Sequence, residues 1–445
     1  MKDLETVGRE APCLIERALG LGCSQAEVFS SAAATAPVSF ENNRLKSVNT
    51  AETTLTAVRV IKDGRVGFAT STKPGDLEVV DLAARAAAFG PEADLDFAGR
   101  APVRRDLQGF DPAVADWPLE AMVERGSELV EELKGLAEGL LVSVDVEREI
   151  SARRVTTSNG QDVAETGTAA VGVVTVQLVE GENIIWLFDF DASRRLAVDF
   201  PRLAQRVRWL FGHARRNTSL PTGKYPVLFS PTAAADLIAP MEACLSGRAV
   251  VKGESPWKDK LGSRLLAEGF TLLDDPTLPW GLGTTPFDDE GVPTGRRTLI
   301  DHGVLKDFYL DLRSARALGR PSTGNGFRRG QSPPNPGPSN LVVEPGEAPW
   351  SSLVTGIKRG LLVTRLMGAW AGNPYSGQVS GNVDVGFRIE DGEITGRVKD
   401  CMLSVDVFAA FRDHLLALSR EVETTPAMSR LPYILLDEVS VSARS

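Results

Sequence analysis

The sequence predicts an α+β protein: mixed, largely antiparallel sheets with flanking helices, an N-terminal α/β layer unit and a β-rich C-terminal unit. Two observations carry this. Period-two stretches recur along the chain beside the turn dipeptides Asp63-Gly64, Asn159-Gly160 and Asp391-Gly392, which accept the positive φ that tight hairpins need. Stretches with helical spacing stand between them, at Leu4–Leu21, Asp76–Ala88 and Leu119–Leu133.

In chain order, Leu4, Val7, Ala11, Leu14, Ile15, Ala18 and Leu19 lie on one helical face, and Gly20 and Gly22 supply a stop. Ala26–Ser31 and Val38–Phe40 read as strands, Leu55–Ile61 and Arg65–Thr70 as a hairpin, and Asp76–Ala88 as a helix, giving an N-terminal α+β domain over 1–90. The stretch 91–118 is rich in Pro, Asp, Gly and Arg and reads as a linker or long connection. A central α+β domain is expected over 119–220. It starts with the amphipathic helix Leu119–Leu133, whose glutamates form a solvated face. It continues through the alternating Val142, Val144 and Val146 and the hairpin of Ala169–Val179 with Ile184–Phe190. Asp199 caps the next helix with Pro201 in its first turn, and His213 sits at the edge of its buried stripe.

The remainder, 221–445, is expected to form a C-terminal β-rich domain. Val227–Phe229 is a short strand, Pro231 ends it, and Thr232–Leu245 is a helix. Leu261–Leu273 reads as a short helix and strand. Asp288, Asp289 and Glu290 read as a solvated turn, since the ligands of a calcium loop are spread over about a dozen residues. His302 is the tip of a hairpin, and Ser314–Leu318 is a helical turn. Five prolines and four glycines keep 320–339 irregular. A structureless loop of that length is often functional, and its Arg328 and Arg329 suit a peptide carboxylate or a partner's acidic edge as well as open solvent. Ser352–Ile357 is helical and Leu361–Trp370 a buried strand. Asn373–Gly381 has small residues that let backbone approach a ligand, with Asn373, Ser376 and Ser380 as the cleft-facing candidates. Gln378–Ile389 pairs with Glu393–Val398, Asp406 caps a helix running to Ser419, and Tyr433–Ser442 is the last strand.

Composition excludes several function classes. With 445 residues and 42% hydrophobic content the chain can fill more than one core. A net charge of -10 argues against a nucleic-acid partner, which requires clustered Lys and Arg. Cys13, Cys23, Cys244 and Cys401 have no CxxC spacing, so neither a disulfide framework nor a zinc knuckle is indicated. The first residues lack a continuous apolar core, and no stretch approaches the roughly 20 apolar residues of a membrane span. A cytoplasmic location with no membrane partner is the expectation.

A hydrolytic zinc helix carries two histidines about a turn apart with a glutamate between them. Thr232–Leu245 has neither histidine. The runs LGTTPFDDEGVPTGRRTLIDHGVLKDFYLDLRSARALGRPSTGNGFRRG (282–330) and AGNPYSGQVSGNVDVGFRIEDGEITGRVKD (371–400), with ENNRL (41–45) and RVIKDGRVGFA (59–69), resemble the TldD/PmbA family, named modulators of DNA gyrase. The resemblance implies two branches. The TldD branch carries a His-Glu-x-x-x-His helix and a C-terminal cysteine and acts as a zinc peptidase, whereas the PmbA or TldE branch lacks the motif and pairs with a TldD-type subunit. Counted from Pro231, the motif positions are Ala239, Pro240 and Cys244, and the stretch matching the C-terminal ligand, Thr424–Leu431, has no cysteine. The resemblance therefore implies a non-catalytic subunit with no metal or other cofactor of its own. Zinc is expected only in a TldD-type partner, and the substrate is a peptide or unfolded polypeptide. Two alternatives stay open: a stand-alone peptidase or hydrolase with a non-metal nucleophile, for which Ser376 is the candidate although no GxSxG elbow surrounds it, and a homodimeric peptide-binding protein.

Overall fold

The computed structural model describes residues 6–181, 183–369 and 371–443. It is α+β as expected, organised on two large sheets. The first contains β1 (Gln25–Glu41), β2 (Arg44–Val48), β3 (Ala51–Lys62), β4 (Arg65–Ser71), β5 (Leu141–Thr157), β6 (Asp162–Glu180) and β7 (Asn183–Ser193), in the order β4-β3-β1-β5-β6-β7 with β2 also on β1. Every pairing in it is antiparallel. Asp63 and Gly64 turn β3 into β4 at φ 50° and 71°, as the dipeptide requires.

Strands of 1–90 and 119–220 thus share one sheet: β1 pairs with β5 from Glu27 opposite Thr157 to Phe40 opposite Val144. The two stretches expected as β1 pieces are one strand of 17 residues. The 91–118 connection is tied down along its path. Thr157 Oγ1 donates to the Ala98 carbonyl at 2.7 Å and Asn159 Nδ2 to that of Phe97 at 2.7 Å, while Leu95 and Phe97 pack on Ile61.

One face of this sheet is covered by helices. Helix α1 (Ala11–Gly20) and α2 (Glu78–Ala86) bury Leu14, Ile15, Val79 and Val80 against Val28, Val58 and Val60. At the other end α3 (Leu119–Lys134) and α4 (Phe200–Ala214) bury Met122, Leu129, Leu203 and Val207 against Val38, Phe40, Val142 and Val144. Asp199 caps α4 by accepting from Arg202 N at 2.9 Å. His213 stacks beside Trp209 at its end, with Nδ1 2.8 Å from the Trp209 carbonyl.

The second sheet has 12 strands. Its centre is β8 (Gly223–Phe229), β9 (Arg359–Met367), β10 (Gln378–Glu390) and β11 (Arg430–Ala443). It is largely antiparallel, with parallel pairing of β8 to β9. Helix α5 (Pro231–Leu245) lies on it, burying Leu237, Ile238, Met241, Cys244 and Leu245. The helix expected to run from Asp406 to Ser419 ends at Asp413, and Leu415–Thr424 is a strand paired with β11. Asp406 does cap it, accepting from Phe408 N and Ala409 N. No helix forms in 261–273, where only Leu272–Asp274 is regular. Trp370, the end of one expected strand, and Leu4, in the first expected helix, lie outside the described residues. Among the described residues no helix is long and apolar enough to cross a membrane.

Candidate functional site

The uncovered face of the first sheet is where charge collects. Alternation puts Glu27, Phe29 and Ser31 of β1 on it with Arg59 of β3, Arg153 and Val155 of β5 and Glu165 of β6. Glu27 is directly opposite Arg59, and Arg153 directly opposite Glu165, so the register itself forms two opposite-charge pairs. Arg59 Nε donates to Glu27 at 2.8 Å and its Nη2 to Glu290 at 2.9 Å. Burial works against the Arg59 charge, but Glu27 and Glu290 more than offset it and raise its pKa.

Asp288, Asp289 and Glu290 are not a solvated turn: all three are buried. Asp288 accepts the N–H groups of Gly326, Val292 and Glu290 at 2.8, 2.9 and 3.0 Å. Asp289 takes the Arg328 N–H at 2.7 Å and pairs with Arg153. Glu290 takes the Leu312 N–H at 2.7 Å in addition to Arg59. Burial raises Asp288 well above the usual carboxylate range, with Glu290 adding to it. Burial also pushes Glu290 up to about 7, against the pull of Arg59. The trio is a clamp between the first sheet and the C-terminal unit, with its oxygens already taken by guanidinium and N–H donors. A calcium ion would find few free ones.

Between that face and the C-terminal unit lies a cavity of about 1000 Å³. Its walls include Phe29, Ser31, Arg153 and Glu165 from the sheet, Glu242 and Ser246 at the end of α5, and Arg328 and Arg329 from the 320–339 stretch. The turn Ala427–Ser429 also lines it. The 320–339 stretch is less irregular than expected: Gly326–Phe327 pairs with Asn335–Pro336 in a small hairpin. Arg328 then reaches inward to Glu27 at 2.8 Å and lies 5.0 Å over the Phe29 ring.

The motif positions of α5 can now be placed. Ala239 is exposed, whereas Pro240 and Cys244 are buried in the core. Burial pushes the Cys244 thiol up to about 12, so at neutral pH it offers no thiolate. The accessible side of the helix carries Thr232, Ala235, Asp236, Ala239, Glu242, Ala243 and the cap Ser246, of which Glu242 and Ser246 line the cavity. Of these Asp236 and Glu242 are metal-donor types, and of the two Glu242 lines the cavity; burial raises its pKa, with Arg329 pulling it down and Asp274 pushing it up. The C-terminal stretch brings Ala427, Met428 and Ser429 to the same cavity. One carboxylate among methyl and hydroxyl groups does not fit the three nitrogen, sulfur or carboxylate donors of a catalytic zinc. Among the described residues no group of three or more His, Cys, Asp and Glu side chains is placed to hold a metal ion.

The sequence candidates split. Arg328 and Arg329 both line the cavity. Asn373, Ser376 and Ser380 lie on the surface beyond its walls. Asn373 caps a short turn by accepting from Tyr375 N at 3.0 Å, Ser376 Oγ donates to the Asn373 carbonyl at 2.8 Å, and Ser380 Oγ meets Ser404 Oγ at 2.8 Å. The Ser376 hydroxyl is thus engaged by its own turn, with no histidine bonded to it among the described residues. Reasoning from the sequence missed Glu27, Arg59, Arg153, Glu165 and Glu242. A charged residue inside a run such as AEVF or AVRVI was the available signal, because buried strands tolerate charge only when it is paired.

Residues 222–443 match the PmbA/TldA metallopeptidase C-terminal domain, and residues 26–89 match the PmbA/TldA metallopeptidase domain 1. The crystal structure of TldE from Thermococcus kodakarensis is similar with a TM-score of 0.91 at 27% identity, over 98% of this chain and 100% of that one. The metalloprotease PmbA of Escherichia coli O157:H7 is 28% identical over 247 residues, 54% of this chain and 52% of that protein. An uncharacterized protein of Methanocaldococcus jannaschii is 25% identical over 376 residues, 83% of this chain and 86% of that protein.

Proposed function

Because the chain belongs to the PmbA/TldD metallopeptidase family, we propose that it is a subunit of the PmbA/TldE type. In this reading it holds an extended peptide or unfolded polypeptide in its cleft, in the cytoplasm, while a TldD-type partner supplies the zinc, the base and bond cleavage. One observation carries the reading. The two places at which the family's metal ligands are expected, α5 and the stretch near Thr424–Leu431, converge on the same cavity, and the side chains they present there are Glu242, Ser246, Ala427, Met428 and Ser429. A cleft with a charged floor is present, and the donors at these two places are not the set a catalytic zinc takes.

Metal analysis, co-elution and cleavage assays test this. The chain purified without chelator is expected to contain well under one equivalent of zinc and to cleave no unfolded polypeptide alone. Mixed with a TldD-type protein at micromolar concentration it is expected to co-elute and to support cleavage. Stoichiometric zinc, or separate elution, refutes the assignment.

A further inference from the structure

The charges lining the cleft fall into two sets. Arg153 is matched by Glu165 at 2.6 Å and by Asp289, and Arg328 by Glu27 at 2.8 Å. Arg194 directs Nε and Nη2 to the Leu282 carbonyl at 3.0 and 2.9 Å. Arg248 and Arg329 differ from Arg153 and Arg328, which have carboxylate partners, and from Arg194, which is half-buried on two backbone carbonyls, in being exposed. Arg248 Nη1 donates to the neutral amide oxygen of Asn335 at 2.5 Å. Neither Arg248 nor Arg329 has a carboxylate within ion-pairing distance among the described residues. Asn335 pairs with Phe327, two positions before Arg329, so the small hairpin that holds the Arg248 guanidinium also carries Arg329, and both residues line the same cavity.

The nearest competing acid on α5 is Glu242, which stays beyond ion-pairing distance of Arg329. The chain as a whole carries -10. A wall with two guanidinium groups outside any ion pair, Arg329 partly balanced by the field of Glu242, favours an anion on an otherwise acidic protein, and each guanidinium offers a fork that matches a carboxylate.

We propose that Arg248 and Arg329 receive a carboxylate of the bound polypeptide, either its C-terminus or an acidic side chain. The inference deepens the peptide-holding reading above and rests on it.

Anisotropy with rhodamine-labelled extended octapeptides tests it, using the intact chain alone and with its TldD-type partner. A peptide with one Glu and a free C-terminus is expected to bind at least about tenfold more tightly than its Gln-containing, amidated version at low salt. The two single changes separate the sources: loss of the preference on amidation assigns the terminus, and loss on Glu→Gln assigns the side chain. Arg248→Gln with Arg329→Gln removes the preference while leaving the melting temperature within a few degrees, and Arg329→Glu shifts it toward a Lys-bearing peptide. Equal binding of charged and neutral peptides, or a preference that survives both substitutions, overturns the carboxylate site and leaves the cleft reading standing. Failure of every peptide to bind, with and without partner, overturns the cleft reading and this inference with it.

Discussion

A guanidinium with 6% of its side chain exposed is costly to desolvate unless carboxylates surround it, and Arg59 lies between Glu27 and Glu290. Removing it leaves Glu290 without a cation among the described residues and Glu27 with Arg328 alone. Arg59→Ala is therefore expected to cost about 3–5 kcal/mol in urea unfolding, against the few tenths typical of an exposed arginine. Asp236 on α5 makes a second, pH-dependent case. Burial alone raises it to about 6 from 3.8. An acid whose folded pKa is raised binds more protons folded than unfolded, so stability falls as pH climbs from about 3.8 to about 6 and is level above that. Asp236→Asn is expected to remove this slope and to stabilise the protein at pH 7 by roughly 1–2 kcal/mol, allowing for partial solvent contact. An unchanged stability profile between pH 4 and 7 contradicts it. Turn chemistry was readable at this scale: Asp63-Gly64 and Asp391-Gly392 take positive φ as expected. The trio at 288–290 was not readable, because its partners Arg59 and Arg153 lie 231 and 136 residues away and local sequence holds no trace of them.

Among the elements, the helices with a cap and a clear apolar stripe were legible, as Asp199 with α4 illustrates; α5 was placed to within a residue, but its cap is Ser230 and Pro231 is its first residue. The segment after Asp406 misled because Val407, Phe411, Leu415 and Leu418 keep helical spacing across a break. Leu415 and Leu418 are in fact partners of Leu436 and Ile434 in the sheet, and long-range pairing overrode local periodicity. Gly126 in α3 shows how packing can also reverse a propensity argument. Gly→Ala inside a helix normally gains up to about 1 kcal/mol. Here a Cβ would lie 2.8 Å from Phe40 Cδ2 and closer still to Cε2, and Phe40 is itself buried on β1. Helix and sheet would have to separate, so Gly126→Ala is expected to destabilise by about 1–3 kcal/mol. A melting temperature equal to or above that of the parent shows that the Phe40 ring moves aside.

At the scale of the molecule, several contacts join the sheets, among them bonds from Arg365 and Arg397 to Trp186, Ile184 and Asn183 of β7, and the relative size of two others bears on how it unfolds. One is the ionic clamp, in which Arg153 links β5 to Asp289, Thr285 and the Phe287 carbonyl. Breaking such a buried pair costs about 3–5 kcal/mol. The other is a shared apolar core, where Val142, Val144 and Leu187 of the first sheet pack with Leu228, Leu362, Phe387 and Tyr433 of the second. Burying side chains of this kind is worth about 1.5–3 kcal/mol each, roughly 10 kcal/mol or more across the set. The sequence shows the strands but not this continuity, since alternation identifies a buried face without saying which sheet it meets. The core exceeds the clamp, so Arg153→Ala is expected to lower the calorimetric transition by several degrees while keeping it single, with calorimetric and van't Hoff enthalpies still equal. Two resolved transitions in that variant would mean that charge, rather than the apolar core, holds the two sheets together; the loss of Glu27 or Asp289 should then split the transition in the same way.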